Sequence, residues 1–235
     1  DNYGMFWNMP SMRTFHSIVP ASIINFYQAM GLDRGVASRA DISRLALRAL
    51  FSVKYIFASE KVTAPDLPNY NLTGNQNEFD IYENEDYIPM GFAYPYYITQ
   101  KTFEDYPETM RDRLLLKAVL LSDEQIAKYG GLLKELPQDE MPLVTNEEMR
   151  KDCAVLRENS GSSFTYDNSG FTSKITLEQE NLVFYSVPYE SGWTATVNGE
   201  PAEVEQVSVG FMAVRAPAGE NTIRFEYRTP GLSVG

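Results

Sequence analysis

The sequence predicts an α+β protein, with an N-terminal mixed α/β subdomain over residues 1–158 followed by a C-terminal antiparallel β-sandwich over residues 159–235. Three observations predict it. Apolar residues in the first segment recur near the helical period, whereas from about residue 160 they alternate at the strand period. Short turn signals punctuate the second segment, and Asn198-Gly199 fits the two-residue hairpin turn whose central positions both need positive φ. Hydrophobic residues make up 43% and aromatics 13% of the 235 residues, more apolar surface than a disordered chain carries.

Taken in order, Pro20 opens a short helix over residues 21–30 that Gly31 closes. A second helix carries Ile42, Leu45, Ala46, Ala49 and Leu50 on one face and Arg44 and Arg48 on the other. Residues 51–58 (FSVKYIFA) and 79–83 read as strands, with a polar loop over 60–77 between them. A tyrosine-rich segment over 87–106 is interrupted by Pro89 and Pro95. Leu114, Leu115, Ala118 and Leu121 predict a helix over 107–121, and Ser122 with Gln125 forms a capping box for the next. Gly130-Gly131 ends or kinks that helix. Thr145 and Glu148 start the last one, whose stripe of Met149, Cys153 and Leu156 makes Cys153 a buried, inert thiol. Strands are then expected at 171–178, 181–187, 193–197, 201–204, 211–216 and 221–228, the last with Ile223, Phe225 and Tyr227 on a dry face.

Composition removes several classes of function. A formal net charge of −12 opposes nucleic-acid binding and docking on an anionic bilayer through overall charge. The acid is spread along the chain: residues 159–235 hold four basic and nine acidic side chains, and residues 1–158 hold sixteen and twenty-three. One cysteine and one histidine, His16, exclude an internal disulfide, a cysteine zinc site and a histidine metal cluster. A Ser-His-Asp triad would have to use His16, and no nucleophile elbow accompanies it. Neither Rossmann nor P-loop spacing occurs, so no cofactor is expected. Paired carboxylates such as Asp139-Glu140, Glu147-Glu148 and those within 83–86 suit a solvated face in so acidic a chain. No apolar stretch approaches the roughly 18–20 residues that span a bilayer. The opening at Asp1 without an initiator Met, and the end just after a strand, read as those of a piece of a longer protein.

Three features carry candidate binding chemistry, each with a structural alternative. Tyr94, Tyr96 and Tyr97 lie in a run of seven aromatic residues that also holds Tyr87, Phe92, Phe103 and Tyr106. Rings with polar tips suit sugar stacking, and equally fill the core between a sheet and a helix. Trp193, five residues after Pro188 and close to Tyr189, is either a stacking platform or a sandwich-core tryptophan. Arg34, Arg39, Arg44 and Arg48 gather four guanidiniums in fifteen residues, which gives Arg39, Arg44 and Arg48 as candidate phosphate contacts or as a solvated helix face. No catalytic and no metal-ligating residue is assigned.

The runs at 1–7 (DNYGMFW), 15–20 (FHSIVP), 51–57 (FSVKYIF), 79–84 (FDIYEN) and 187–193 (VPYESGW), with 197–199 (VNG), resemble the YfhO family of bacterial polytopic membrane proteins. The ending at 218–230 (AGENTIRFEYRTP) is similar to that family's strand leading into its last transmembrane helix. The resemblance implies a relation to GT-C glycosyltransferases, which use polyprenyl-phosphate sugars, and to glycosylation of cell-envelope polymers such as lipoteichoic acid. It implies an extracytoplasmic accessory domain at the plasma membrane of a Gram-positive bacterium. The membrane helices of the parent protein would be its partners, and a glycopolymer or polyprenyl-phosphate sugar its ligand. In such enzymes the catalytic acid lies in a loop between early membrane helices, which this chain lacks, so the fragment is not expected to be catalytic alone. The alternatives are a glycan-binding module and a purely structural lid.

Overall fold

The computed structural model describes residues 10–11, 19–32, 44–59, 67–142 and 145–231. His16, Arg39 and Ile42 therefore lie outside the described residues.

The first segment is mixed, as expected. Helix α1 (Ala21–Ala29) follows Pro20, here the N-cap, and ends as predicted at Gly31, whose φ of +64° closes the last turn. Helix α2 (Leu45–Leu50) buries Ala46, Leu47, Ala49 and Leu50. The strand expected at 51–58 is shorter, because Ser52 takes φ 55° and breaks the run. Strand β1 (Tyr55–Ala58) begins only after that turn. Phe51 instead belongs to the core, 5.6 Å from the Phe26 ring.

Strands β2 (Tyr70–Gln76) and β3 (Phe79–Asn84) join β1 in an antiparallel sheet of order β1-β3-β2, with β3 paired to both neighbours. Strand β2 lies where a polar loop was expected. It is an edge strand with mostly exposed side chains, so no apolar alternation marks it. Its register is set by the Asn77 and Glu78 turn, at φ 51° and 65°, and by Asn75 Nδ2 donating to Asp80.

Strands β4 (Phe92–Ala93) and β5 (Tyr96–Ile98) precede α3 (Gln100–Asp105), which Thr99 caps by accepting from the Thr102 N–H. A 3-10 turn (Glu108–Met110) leads into α4 (Arg111–Lys117). The helix expected through residue 121 stops there. Ala118–Leu120 form strand β6, parallel to β5, because all three side chains are buried and a wholly apolar run carries no period to separate helix from strand. Helix α5 (Asp123–Tyr129) starts at the predicted Ser122–Gln125 capping box, and β7 (Lys134–Glu135) joins the other side of β5. Helix α6 (Asn146–Glu158) is capped by Thr145 and buries Met149, Cys153 and Leu156.

The second segment is antiparallel throughout. Strands β8 (Ser163–Tyr166), β9 (Gly170–Leu177), β11 (Trp193–Val197), β12 (Glu200–Ala202) and β15 (Gly219–Tyr227) form one sheet in the order β12-β11-β15-β9-β8. Strands β10 (Asn181–Pro188), β13 (Glu205–Val207) and β14 (Phe211–Ala216) form another with β4, in the order β13-β14-β10-β4. The Asn198-Gly199 hairpin has φ 56° and 87°, as its turn type requires. On β15, Ile223 and Phe225 are buried and Glu226 is exposed, the predicted alternation.

The four-stranded sheet is covered on both faces. Leu182, Phe184, Val207, Phe211 and Ala213 pack into the core of the first segment, with Phe26, Leu47 and Leu115. Val183, Tyr185, Met212, Val214 and Ala216 face Phe171, Ile175, Ile223 and Phe225 of the five-stranded sheet. Burial on both sides explains the near-continuous apolar runs of β10 and β14. The division at 158/159 follows the chain but not the packing: Phe92 and Ala93 pair with Phe184 and Val183.

Candidate functional site

The aromatic candidates fall in three places. Tyr94 is in the core, 1% exposed, with its hydroxyl donating to the Leu115 carbonyl and its ring 5.3 Å from Phe92. Burial pushes its phenol well above the ordinary range and leaves no ring face for a ligand, so the structure corrects its assignment as a glycan contact. Tyr96 and Tyr97 stand half-buried on β5 against the first core. The Tyr96 hydroxyl donates to Glu140 Oε1 at 3.0 Å, and that bond raises its pKa. Tyr189 and Trp193 pack against the second core, some distance along the chain from the others.

Trp193 closes one end of the two-sheet core. Its ring lies 5.1 Å from Tyr227, 5.7 Å from Phe171 and 6.2 Å from Phe225. The N-terminal end of β11 and the C-terminal end of β15 bring Trp193 opposite Tyr227 in register. Trp193 therefore packs on the second core and remains half-exposed. The sequence placed Tyr227 on the dry face of the last strand but did not make it a binding candidate. The alternation of β15 places it on the dry face, which is the signal that finds it.

The arginine candidates behave differently. Arg44 Nε donates to Asp112 Oδ2 of α4 at 2.9 Å, and the two side chains are only 15% and 5% exposed. Arg48, one turn further along α2, lies over the Tyr70 ring of β2 at 6.0 Å. Arg44 Nη2, Arg48 Nε, Asp112 Oδ1 and the Tyr70 hydroxyl are buried atoms without a hydrogen-bond partner. Burial raises the Tyr70 phenol, and the Arg48 guanidinium partly offsets that.

An open cleft of about 490 Å³ lies between α5, the β11–β12 hairpin and the ends of β10 and β14. Lys128, Tyr129, Glu180, Pro201, Glu203 and Arg215 are among its lining residues. Its charges are already engaged. Arg215 makes two 2.9 Å bonds to Glu180, and Lys128 binds both Glu203 and Glu205. Glu205 also accepts from Tyr129 and Gln125 and is buried. The net direction of its carboxyl is down, because these bonds outweigh the desolvation that raises it. Tyr129 is pushed up to about 12, by burial first and then by Glu205. Sequence reading found the capping box and the hairpin that bound the cleft, but their meeting depends on long-range packing.

The acidic pairs are likewise engaged: Glu83 with Lys54, Glu85 and Asp86 with Arg150, Glu148 with Lys117, and Glu147 with Lys151. Among the described residues no group of three or more His, Cys, Asp or Glu side chains is arranged to hold a metal ion. Nor is any helix among them long and apolar enough to cross a membrane.

Comparison with known proteins bears on this arrangement. The family described as "Bacterial membrane protein YfhO" matches residues 1–149 and 140–235, which together cover the chain. The curated "Uncharacterized protein YfhO" of Bacillus subtilis (strain 168) is 25% identical over 69 residues, 29% of this chain and 8% of that protein's length. The matched stretch is thus a small part of a much longer relative. No solved structure matches. Matched by that family from Asp1 to Gly235, the chain belongs to the YfhO family of bacterial membrane proteins.

Proposed function

We propose that this chain is an extracytoplasmic accessory domain of a polytopic membrane protein that glycosylates cell-envelope polymers such as lipoteichoic acid. The parent protein is read as a GT-C-type glycosyltransferase using a polyprenyl-phosphate sugar, with its reactive groups among membrane helices and this chain packed above them. The observation that carries the reading is the whole-length match to a membrane-protein family by residues of which the described helices cannot span a bilayer. The C-terminal unit is read as a β-sandwich, since its two sheets share one core. A glycan-binding module is the second reading. It draws support from the half-exposed Trp193 ring beside Tyr227, a pairing suited to stacking on a sugar.

The test uses the full-length parent protein in cells. A cysteine placed at exposed Ser191 should react with a membrane-impermeant maleimide on intact cells, because native Cys153 is buried and stays silent. Replacing residues 1–235 by a flexible linker should then reduce glycosylation of the envelope polymer. Labelling only after lysis would refute the location, and undiminished glycosylation would refute the accessory role. Binding of teichoic-acid fragments to the isolated chain, lost in Trp193→Ala, would favour the second reading.

A further inference from the structure

We infer that the open cleft between α5 and the β11–β12 hairpin is a binding site for a neutral saccharide, a mono- or disaccharide unit held at its hydroxyls by Arg215, Glu180 and Glu203. The inference deepens the glycan-directed reading above, on which it rests for the source of such a ligand, and gives it a site away from Trp193. A volume of about 490 Å³ falls within the range of roughly 300–1,000 Å³ in which small-molecule sites occur. Trp193 is not among the lining residues: it begins β11, whereas the cleft takes Val197 from the other end of that strand.

The charges of the cleft select against ions. Glu180, Glu200 and Glu203 line it with Lys128 and Arg215, and Glu205 also holds Lys128, so an anion would meet four carboxylates against two cations. A cation would have to displace Lys128 or Arg215 from carboxylates they already hold, or settle for Glu200 at the exposed start of β12. A neutral, hydroxylated ligand meets neither cost. Arg215 spends Nε and Nη2 on the two oxygens of Glu180, at 2.9 Å each, and leaves Nη1 without a protein acceptor on a half-exposed side chain. Glu203 gives one oxygen to Lys128 and keeps the other free. A sugar hydroxyl donates and accepts at once, so neighbouring hydroxyls fit a guanidinium edge set beside carboxylates. Because the ion pairs already hold these side chains in place, little rotamer freedom is lost on binding. Pro201, Ala202 and Pro217 supply apolar lining for the C–H face of a ring.

The experiment titrates the isotopically labelled 235-residue chain with glucose, N-acetylglucosamine, maltose and chitobiose, and follows the backbone amides by NMR. Glucosamine, a cation, and N-acetylglucosamine 6-phosphate, an anion, form the other arms. At least one neutral sugar should bind with a Kd of about 1 mM or below, moving the amides of Lys128, Glu200, Glu203 and Arg215 and not those around Trp193. The charged analogues should bind at least roughly tenfold more weakly. Arg215→Met keeps the apolar stem, removes the donors and should weaken the neutral sugar roughly tenfold. Should that variant fail to fold, the amide map and the charge series in the unaltered chain still decide. The inference is overturned if no sugar moves the cleft amides, if a charged analogue binds as well as the neutral sugars, or if Arg215→Met binds unchanged. Shifts confined to Trp193 and Tyr227 would overturn it and leave the glycan-binding reading standing. Cleft binding in a domain whose removal leaves envelope glycosylation undiminished would retain it and remove only the accessory role.

Discussion

Phe211→Ala tests whether the two chain segments form one cooperative unit. Phe211 sits on the face of the four-stranded sheet turned towards the helices, 1% exposed. Its ring centre lies 4.6 Å from Phe26 of α1, 5.5 Å from Phe51 and 5.8 Å from Phe184. Removing a fully buried phenyl ring costs about 3–5 kcal/mol, towards the upper end when edge-to-face partners are lost too. For a chain of this size the urea dependence is about 2–3 kcal/mol per molar, so the midpoint should fall by roughly 1–2 M. Trp193, on β11 of the five-stranded sheet, reports from the second core, beyond the opposite face of the four-stranded one. In a Trp7→Phe background its fluorescence therefore follows the C-terminal unit, while circular dichroism at the helix band follows the N-terminal one. Both midpoints should move down together by the same amount. If the helix signal shifts while the Trp193 midpoint stays in place, the shared-core reasoning is wrong and the two segments are separate domains.

Two further outcomes follow from buried titratable groups. Glu205→Ala should destabilise the chain by about 2–3 kcal/mol in urea unfolding at neutral pH, since it strands the Tyr129 hydroxyl and takes one of the two acceptors of the Gln125 amide, leaving the Gln206 carbonyl. Because the folded carboxyl lies below its unfolded value, its contribution is present above the unfolded carboxylate pKa and lost as pH falls through the folded one. Glu205→Gln should accordingly flatten the acid limb of the stability curve, and an unchanged limb would contradict the assignment. Cys153, fully buried on α6 with its thiol pushed up by burial, should react with a disulfide reagent only at the rate at which the helix opens. Prompt reaction of the native chain would show that α6 is not docked as described.

Legibility of the fold in the sequence depended on whether an element has one wet face. Ser122 with Gln125, and Asn198 with Gly199, announce themselves through local chemistry, and the structure places a capping box and a left-handed turn there. Strands β11 and β14 have the predicted bounds. Strand β2, polar on an exposed edge, and strand β6, apolar and buried throughout, have no alternation to read. The candidate residues were harder. Tyr94 and Tyr96 are the same letter two residues apart, one in the core and one half-exposed, and only the pairing of β4 with β10 separates them. Arg44 and Arg48 were noticed for their charge, but the acid from α4 that holds one and the tyrosine from β2 that lies under the other are 68 and 22 positions away in the chain.

The partition formed by the four-stranded sheet also bears on biosynthesis. A ribosome delivers Phe26, Leu47, Phe92 and Leu115 well before β10 and β14, the strands that cover them. Until residues 181–216 emerge, the nascent helices have an unsealed apolar side. Chain growth of about 5–20 residues per second makes that interval several seconds. Premature termination between residues 158 and 181 should therefore yield a sticky, chaperone-dependent product rather than a small autonomous domain.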